Sequence, residues 1–266
     1  MYSYEIGRIV YLRGKRIYGF YVRLSPHVLE TPGILIKLGS VFSNANLSIV
    51  HLEVSRPEEN KPISTIFFVD FTGRESEASK ILDVLKTFDF VEHVKILEPQ
   101  HNGLTIDTVL FPLTLFGERI IMFRLPAIKA LILGLKERMG EAYSSILYQI
   151  GMEIGERVFK SHMNLAGTSD VDVIARICEA LFQAVGYGIL KFIYLNPELK
   201  ESKVRVWNSF ECELYEESKQ PRGYLVSGML AGWHTGLFKT KYLSVKEKKC
   251  IAMGDPYCEF IVQTYI

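Results

Sequence analysis

The order of strand-like and helix-like segments between residues 17 and 98 limits the N-terminal fold most strongly. Four segments are rich in β-branched and aromatic residues, which favour strands, and two carry apolar residues at helical spacing. The predicted strands are residues 17–24, 47–54, 63–70 and 91–97, and the predicted helices are residues 34–42 and 76–88. The order strand, helix, strand, strand, helix, strand builds a ferredoxin-like two-layer sandwich.

The turn before the first predicted helix carries a family resemblance. Residues 29–49 contain Glu30-Thr31-Pro32-Gly33-Ile-Leu, then a helix, then Asn46-Leu-Ser-Ile, and this segment resembles an ACT domain. The resemblance implies dimerisation and binding of a small metabolite by the turn, where Thr31, Pro32 and Gly33 match the family pattern. Alternatively, Pro32 is a first-turn helix proline and Gly33 only packs.

The segment at the C-terminus is the most specific of the chain. Cys250 and Cys258 flank a Gly254-Asp255-Pro256 turn between two strand-like runs, which predicts a β-hairpin. The hairpin brings both cysteines to one face of the sheet, because side chains alternate with period two. Glu247 stands three residues before Cys250. Two thiols and a carboxylate at this spacing can bind zinc, form a disulfide or simply pack.

The second half of the chain, from about residue 104, resembles the 4-vinyl reductase domain family. The Glu-x-x-Cys-x7-Cys hairpin, the Gly-rich helix at residues 223–232 and Trp207-Asn-Ser-Phe-Glu211 carry the resemblance. In the family's phenol-sensing regulators, the equivalent Glu and two Cys bind zinc with a third Cys, whose position here is Tyr224. We therefore expect a hairpin without metal. The alternative is zinc on Glu247, Cys250, Cys258 and Cys212, if the strand before Cys212 lies beside the hairpin.

The same resemblance implies a ligand cavity in the second domain, with the tryptophan at position 207 in its lining. Aromatic residues elsewhere in this domain are candidates for the rest of the cavity, although they can equally fill a core. The candidate ligand-binding residues are Trp207, Phe182, Phe192, Phe210 and Trp233. His234 is interpreted as a capping or surface histidine, and Cys178 as a buried core thiol.

Further elements are predicted between the two resemblances. We expect strands at residues 104–110 and 119–123, and then a long helix that continues through Gly151 and Gly155, where small residues permit close helix approach. Asp170 is the predicted N-cap of the next helix. The predicted fold class is α+β: an ACT-like ferredoxin-like domain at residues 1–99, followed by a mixed α/β 4-vinyl reductase family domain with a C-terminal β-hairpin at residues 104–266.

Composition limits the environment and the partners. Four cysteines in 266 residues are too few for a disulfide scaffold, and no apolar run reaches the ~20 residues of a membrane helix. We therefore expect a cytoplasmic protein without a membrane span. A net charge of +1 argues against direct nucleic-acid binding.

No catalytic motif stands out in the sequence. The chain has no G-x-S-x-G, P-loop or H-E-x-x-H motif and no dinucleotide fingerprint, and no haem, flavin or nicotinamide cofactor is expected. The favoured hypothesis is a non-enzymatic homodimeric sensor that binds a small apolar or aromatic molecule and acts on an unknown protein effector. The alternatives are an enzyme or enzyme accessory of the vinyl-reductase type, and an assembly module.

Overall fold

The computed structural model describes residues 3–265, and the chain forms two compact units, residues 1–121 and residues 122–266. The strands of the first unit are β1 (Ile9–Tyr11), β2 (Ile17–Leu24), β3 (Ser48–Val54), β4 (Ile63–Asp70), β5 (Val91–Leu97), β6 (Leu104–Ile106), β7 (Thr114–Leu115) and β8 (Glu118–Arg119). Its helices are α1 (Ile34–Asn44) and α2 (Ala78–Lys86). The bounds of β2, β4 and β5 coincide with the predicted strands.

The first unit has the predicted ferredoxin-like layers. Its four-stranded antiparallel sheet has the order β3-β4-β2-β5, and the apolar sides of α1 and α2 pack on one face of it. Phe20 of β2, Phe42 of α1 and Phe67 of β4 lie in this core, and the ring of Phe42 contacts both others. The βαββαβ prediction is therefore confirmed.

The opposite face of this sheet is covered by chain that follows β5. Tyr21, Ile66 and Phe68 pack there against Val109 and Leu110, and β6 pairs with β1. The predicted strand at residues 104–110 is thus only three residues long, and residues 104–121 lie in the first unit. The structural division therefore falls after residue 121, later than the boundary expected from the sequence, because this segment buries its apolar residues on the first sheet.

The second unit is a mixed α/β arrangement that ends in a β-hairpin. Its helices are α3 (Leu125–Met139), α4 (Ala142–Ala166), α5 (Val171–Ala184) and α6 (Tyr224–Phe238), and its strands are β9 (Ile189–Asn196), β10 (Glu201–Trp207), β11 (Leu243–Lys249) and β12 (Cys258–Thr264). The antiparallel sheet has the order β11-β12-β10-β9. The sheet places the end of β10 beside the beginning of β12, which positions the candidate metal site.

The helix pair α4 and α6 packs closely, and this packing depends on glycine. A Cβ atom added at any of four glycines would lie 2.0–2.2 Å from a backbone oxygen of the facing helix. These glycines are Gly151 and Gly155 of α4, and Gly228 and Gly232 of α6. The prediction that small residues permit close helix approach is confirmed.

Two local predictions for this unit differ in outcome. The helix expected to run through Gly155 is interrupted at Gly140, whose φ of +57° favours glycine, so α3 and α4 are separate. The strand expected at residues 119–123 is reduced to the two residues of β8. In contrast, Asp170 caps α5 as predicted, because its carboxylate accepts hydrogen bonds from the amides of Asp172 and Val173.

Candidate functional site

The ACT turn of the first unit is exposed and lacks enclosing side chains. Thr31, Pro32 and Gly33 are all exposed, and the Thr31 hydroxyl donates to the His27 carbonyl at 3.1 Å. Gly33 is the N-cap of α1 with a φ of +84°, and no atom lies within 4 Å of a Cβ built on it. Gly33 therefore serves a left-handed turn and not packing, and Pro32 precedes the helix and does not open it. Metabolite binding by this turn stays a prediction.

The candidate metal site of the second unit brings together four residues from three segments. Cys212 follows β10 in a short 3₁₀ turn, Glu247 lies on β11, and Cys250 and Cys258 are the next residues beyond the last β11–β12 pair, Lys249 with Glu259. One donor atom from each residue lies within 4.8 Å of the others, and the three thiols are fully buried. The sequence condition for Cys212 is met, because β10 pairs with β12.

The spacing of these donors fits zinc. A tetrahedral ion with Zn–S bonds of ~2.3 Å places its sulfur ligands about 3.8 Å apart. The Sγ atoms of Cys250 and Cys212 are 3.6 Å apart, and Cys212 Sγ lies 3.8 Å from Glu247 Oε1. Tyr224 is not needed as a ligand, because Cys212 supplies the third thiolate from another segment.

Electrostatics near the cluster reflect burial and the beginning of α6. Burial raises the pKa of Glu247 to about 8, and its Oε2 accepts a hydrogen bond from the Gly223 amide at 2.9 Å. The thiols of Cys212 and Cys258 lower the pKa of Cys250 by hydrogen bonding, which favours its thiolate. Such a crowded set of acidic groups is poorly stable when fully ionised and would be neutralised in part by a divalent cation.

Glu211 is a structural residue that the sequence analysis did not assign. Its fully buried carboxylate accepts hydrogen bonds from the amides of Leu225 at 2.8 Å and Val226 at 2.9 Å, at the beginning of α6. Burial nevertheless raises its pKa to about 8. Glu211 therefore caps α6 from a distant segment. The Trp-x-Ser-x-Glu spacing was visible in the sequence, but the capped helix was not.

Four of the five candidate cavity aromatics lie in the helix–sheet core of the second unit. The rings of Phe192 and Trp233 are 5.1 Å apart, and Phe182 and Phe210 both contact Tyr187. The indole N–H of Trp233 donates to Nδ1 of buried His162 at 3.2 Å. These side chains form a continuous aromatic interior.

Trp207 lies apart from these four residues. Val204 and Val206 of β10 face the core, so the side chain of Trp207 points to the opposite face of the sheet. It is half-buried there, with its ring 5.4 Å from that of Tyr257. The period of the strand thus corrects the expectation that all five aromatics line one cavity.

His234 of α6 is the polar group inside the aromatic interior. It is fully buried, and the rings of Trp233, Phe238 and Phe192 lie 5.1, 5.1 and 6.0 Å from its own. Its Nδ1 lies 2.7 Å from the Leu230 carbonyl oxygen, which can only accept, so Nδ1 carries the proton. The sequence interpretation of a surface or capping histidine was therefore wrong, since α6 is buried on nearly every side.

The free acceptor of His234 follows from this arrangement. Burial lowers the pKa of His234 to about 4, so the ring is neutral at pH 7. Its Nε2 is then an unprotonated acceptor, and it has no hydrogen-bond partner among residues 3–265. A buried acceptor without a donor is costly, by ~1–3 kcal/mol, which makes this atom the clearest candidate contact for a ligand.

Comparisons with protein families agree with this architecture. The ACT domain model matches residues 22–90, and the 4-vinyl reductase domain model matches residues 203–264. The protein therefore combines an N-terminal ACT domain with a C-terminal 4-vinyl reductase domain, in an α+β fold. A search of curated protein sequences gave no significant match.

Solved structures resemble the fold at low sequence identity. The phenol-responsive sensory domain of the transcription activator PoxR with phenol is 17% identical, with a TM-score of 0.51 over 55% of this chain and 77% of that one. A vinyl-4-reductase family protein from Methanocaldococcus jannaschii is 21% identical, with a TM-score of 0.40 over 55% and 85%. A trafficking protein particle complex subunit 3 from Naegleria fowleri, covalently bound to palmitic acid, is 15% identical, with a TM-score of 0.42 over 53% and 93%. The PoxR comparison supports the fold alone.

Within the described residues, no helix is both long enough and apolar enough to cross a membrane.

Proposed function

We propose that the protein is a non-enzymatic, cytoplasmic sensor whose 4-vinyl reductase domain binds a small aromatic or apolar molecule that carries one hydroxyl group. The observation that carries the proposal is the unpartnered Nε2 of His234, an acceptor enclosed by aromatic rings. Ligand sites are commonly apolar with a few polar groups that orient the ligand. A hydroxyl donor would satisfy Nε2, while the ring of the ligand would pack among Phe192, Trp233 and Phe238.

The polar features of the interior favour binding over catalysis. His234 is neutral near pH 7 because burial lowers its pKa, and its Nδ1 already donates to Leu230. The indole N–H of Trp233 is likewise bonded to His162. These bonds fix the rings and leave one acceptor, which suits recognition of a single donor. The fold likeness to the sensory domain of PoxR, which is described with phenol, is in keeping with a phenol-like ligand.

We propose further that Cys212, Glu247, Cys250 and Cys258 hold one structural zinc ion. Four protein donors complete a tetrahedral site and leave no open position for a substrate, as in structural and not catalytic zinc sites. The ion would tie the end of β10 to the β11–β12 hairpin and to the beginning of α6, through Gly223 and Glu247. It would thereby hold the framework that supports the aromatic interior.

The ACT domain is proposed to mediate homodimerisation. One face of its sheet carries α1 and α2, and the other is covered by residues 109–110. Strand β3 is left at one edge of the sheet, with Ile49, Leu52 and Val54 more than a third exposed. An exposed apolar edge strand favours pairing with a second copy. Binding of a metabolite by the ACT turn, and a protein effector that reads the ligand state, complete the proposed regulatory role.

The ligand proposal is tested with phenol and benzene, which differ only in the hydroxyl group. The variant Trp207→Phe leaves Trp233, whose ring is 5.1 Å from that of His234, as the one fluorescent tryptophan of the two in the chain. In this background, phenol should quench the Trp233 fluorescence saturably and bind about tenfold more tightly than benzene. Tenfold corresponds to ~1.4 kcal/mol, within the range of one hydrogen bond to a buried acceptor.

The matched variant His234→Leu removes the acceptor and keeps an apolar side chain. In this variant, phenol should lose its advantage while benzene still binds. Circular dichroism and the unfolding midpoint of both proteins show whether the fold is retained. Lack of saturation by either compound, or an unchanged preference for phenol after the substitution, contradicts the proposal.

A further inference from the structure

We infer that the second unit has a separate site for a small organic anion, a carboxylate or a phosphate ester, in a groove beside α3. The groove has a volume of about 320 Å³ and lies between α3 and residues 214–222. Lys129, Lys136 and Arg222 supply three positive charges in its lining, and Leu133 and Leu214 supply apolar surface. It shares no residue with the aromatic surroundings of His234, so the inference goes beyond the proposed function.

Two of the cations converge on one aromatic ring. Lys136 Nζ lies 5.6 Å from the centre of the Tyr215 ring, and Arg222 Cζ lies 5.6 Å from the same point. Cation–π attraction to Tyr215 helps to hold both groups in place. Neither cation forms an ion pair with a carboxylate in the part of the chain that the structure describes. A bound anion would relieve the repulsion between these like charges.

The guanidinium of Arg222 is oriented by neutral groups. Its Nε donates to Ser218 Oγ at 2.8 Å, and its Nη1 donates to the Tyr143 hydroxyl at 3.1 Å. The Tyr215 hydroxyl donates to that same hydroxyl at 3.4 Å. Neutral partners fix the side chain without neutralising its charge. Such an arrangement lowers the entropic cost of binding a carboxylate or phosphate through the remaining N–H groups.

Two carboxylates also line the groove and limit the kind of anion. Glu216 and Glu217 are exposed at its edge, so solvent screens their charges more than it screens those deeper in the groove. With three cations and two carboxylates, the lining has a net charge of +1. This balance favours a compact single anionic group on an apolar body, and disfavours a polyanion.

The groove is linked to the thiol cluster through Arg222. While the side chain of Arg222 lines the groove, its backbone N–H donates to Cys250 Sγ at 3.4 Å. Gly223, the next residue, donates to Glu247. Binding at the groove would therefore fix the segment that carries the contacts to the cluster and leads into α6. This connection would give the 4-vinyl reductase domain a second input besides the molecule proposed to bind at His234.

The test is calorimetric titration of the full chain with two probes, benzoate and inorganic phosphate, at constant ionic strength set with chloride. At least one probe should bind saturably, and the comparison shows whether the site prefers carboxylate or phosphate. Lys136→Met removes a charge that faces the groove and should weaken this binding about tenfold. Arg138→Met is the matched control, because Arg138 lies on the same helix, is exposed and does not line the groove.

A second variant tests the geometry and not the charge. Arg222→Lys keeps the positive charge but loses the planar fork that contacts Ser218 and Tyr143, so it should also weaken binding. Absence of saturable binding for both probes would overturn the inference. Equal weakening by Lys136→Met and Arg138→Met would overturn it as well, since that result indicates general charge attraction. Full affinity in Arg222→Lys contradicts the proposed role of the guanidinium.

Discussion

Substitution of Gly232 by alanine tests the close packing of α4 and α6. A Cβ atom at this position would lie 2.1 Å from the Met152 carbonyl oxygen and 2.8 Å from the Glu156 amide nitrogen. Ordinary contact begins near 3.4 Å, so the helices must separate locally by 3.4 − 2.1, or about 1.3 Å. Both contacting atoms belong to the backbone of a helix, which cannot yield by a change of rotamer.

The expected loss follows from two opposing effects. Overpacking of a close-packed interior costs ~1–3 kcal/mol, and a contact with rigid backbone belongs near the upper end. Alanine gains ~1 kcal/mol over glycine in helix propensity. Gly232→Ala should therefore lower the free energy of unfolding of the second unit by about 2 kcal/mol.

Gly134→Ala is the matched control in the same unit. Gly134 lies inside α3, and no atom is found within 4 Å of a Cβ built on it. Here only the helix propensity changes, so this variant should be more stable by up to ~1 kcal/mol. Urea unfolding followed by tryptophan fluorescence measures both variants, because Trp207 and Trp233 are the two tryptophans of the chain and both lie in the second unit. A Gly232→Ala protein as stable as the parent would refute the reasoning.

Three further outcomes are expected. Elemental analysis should find one zinc per chain in the parent and in Cys178→Ala, whose thiol lies outside the cluster, but a strongly reduced zinc content in Cys212→Ser; equal zinc in both variants would exclude Cys212 as a ligand. Because burial lowers the pKa of His234 from 6.5 to about 4, the folded state binds fewer protons than the unfolded state in this range. The parent should therefore lose about 3 kcal/mol more stability than His234→Leu as the pH falls from 6.5 to 4, in urea titrations at each pH, and parallel curves would contradict the assigned burial. Gly33→Ala should destabilise the first unit by ~1 kcal/mol in circular dichroism melts because of its φ of +84°, whereas Gly39→Ala in α1 should not.

Periodic patterns predicted the first unit well. Its strands carry dense apolar and β-branched residues between clear turns, so local sequence and tertiary packing favour the same structure. The short strands after β5 were predicted less well. Their structure depends on pairing with β1, about ninety residues earlier, and on burial against the far side of the sheet. Such contacts leave no local pattern.

The candidate site was predictable in its residue types and less so in its geometry. The spacing of Glu247, Cys250 and Cys258 indicated the hairpin part of the cluster, but the position of Cys212 depends on the pairing of β10 with β12. His234 was misinterpreted because α6 has apolar neighbours on nearly every side, so its sequence lacks the amphipathic pattern that distinguishes a buried from an exposed position.

Native mass spectrometry of the whole chain tests the central claim most directly. The protein is incubated with phenol, the bound mass is recorded under gentle ionisation, and the small molecule is then released and identified. We predict one phenol for each 30.4 kDa chain, a dimeric assembly and release of chemically unchanged phenol. A spectrum without bound phenol at saturating concentration, or recovery of a converted product, would contradict the account of a non-enzymatic sensor.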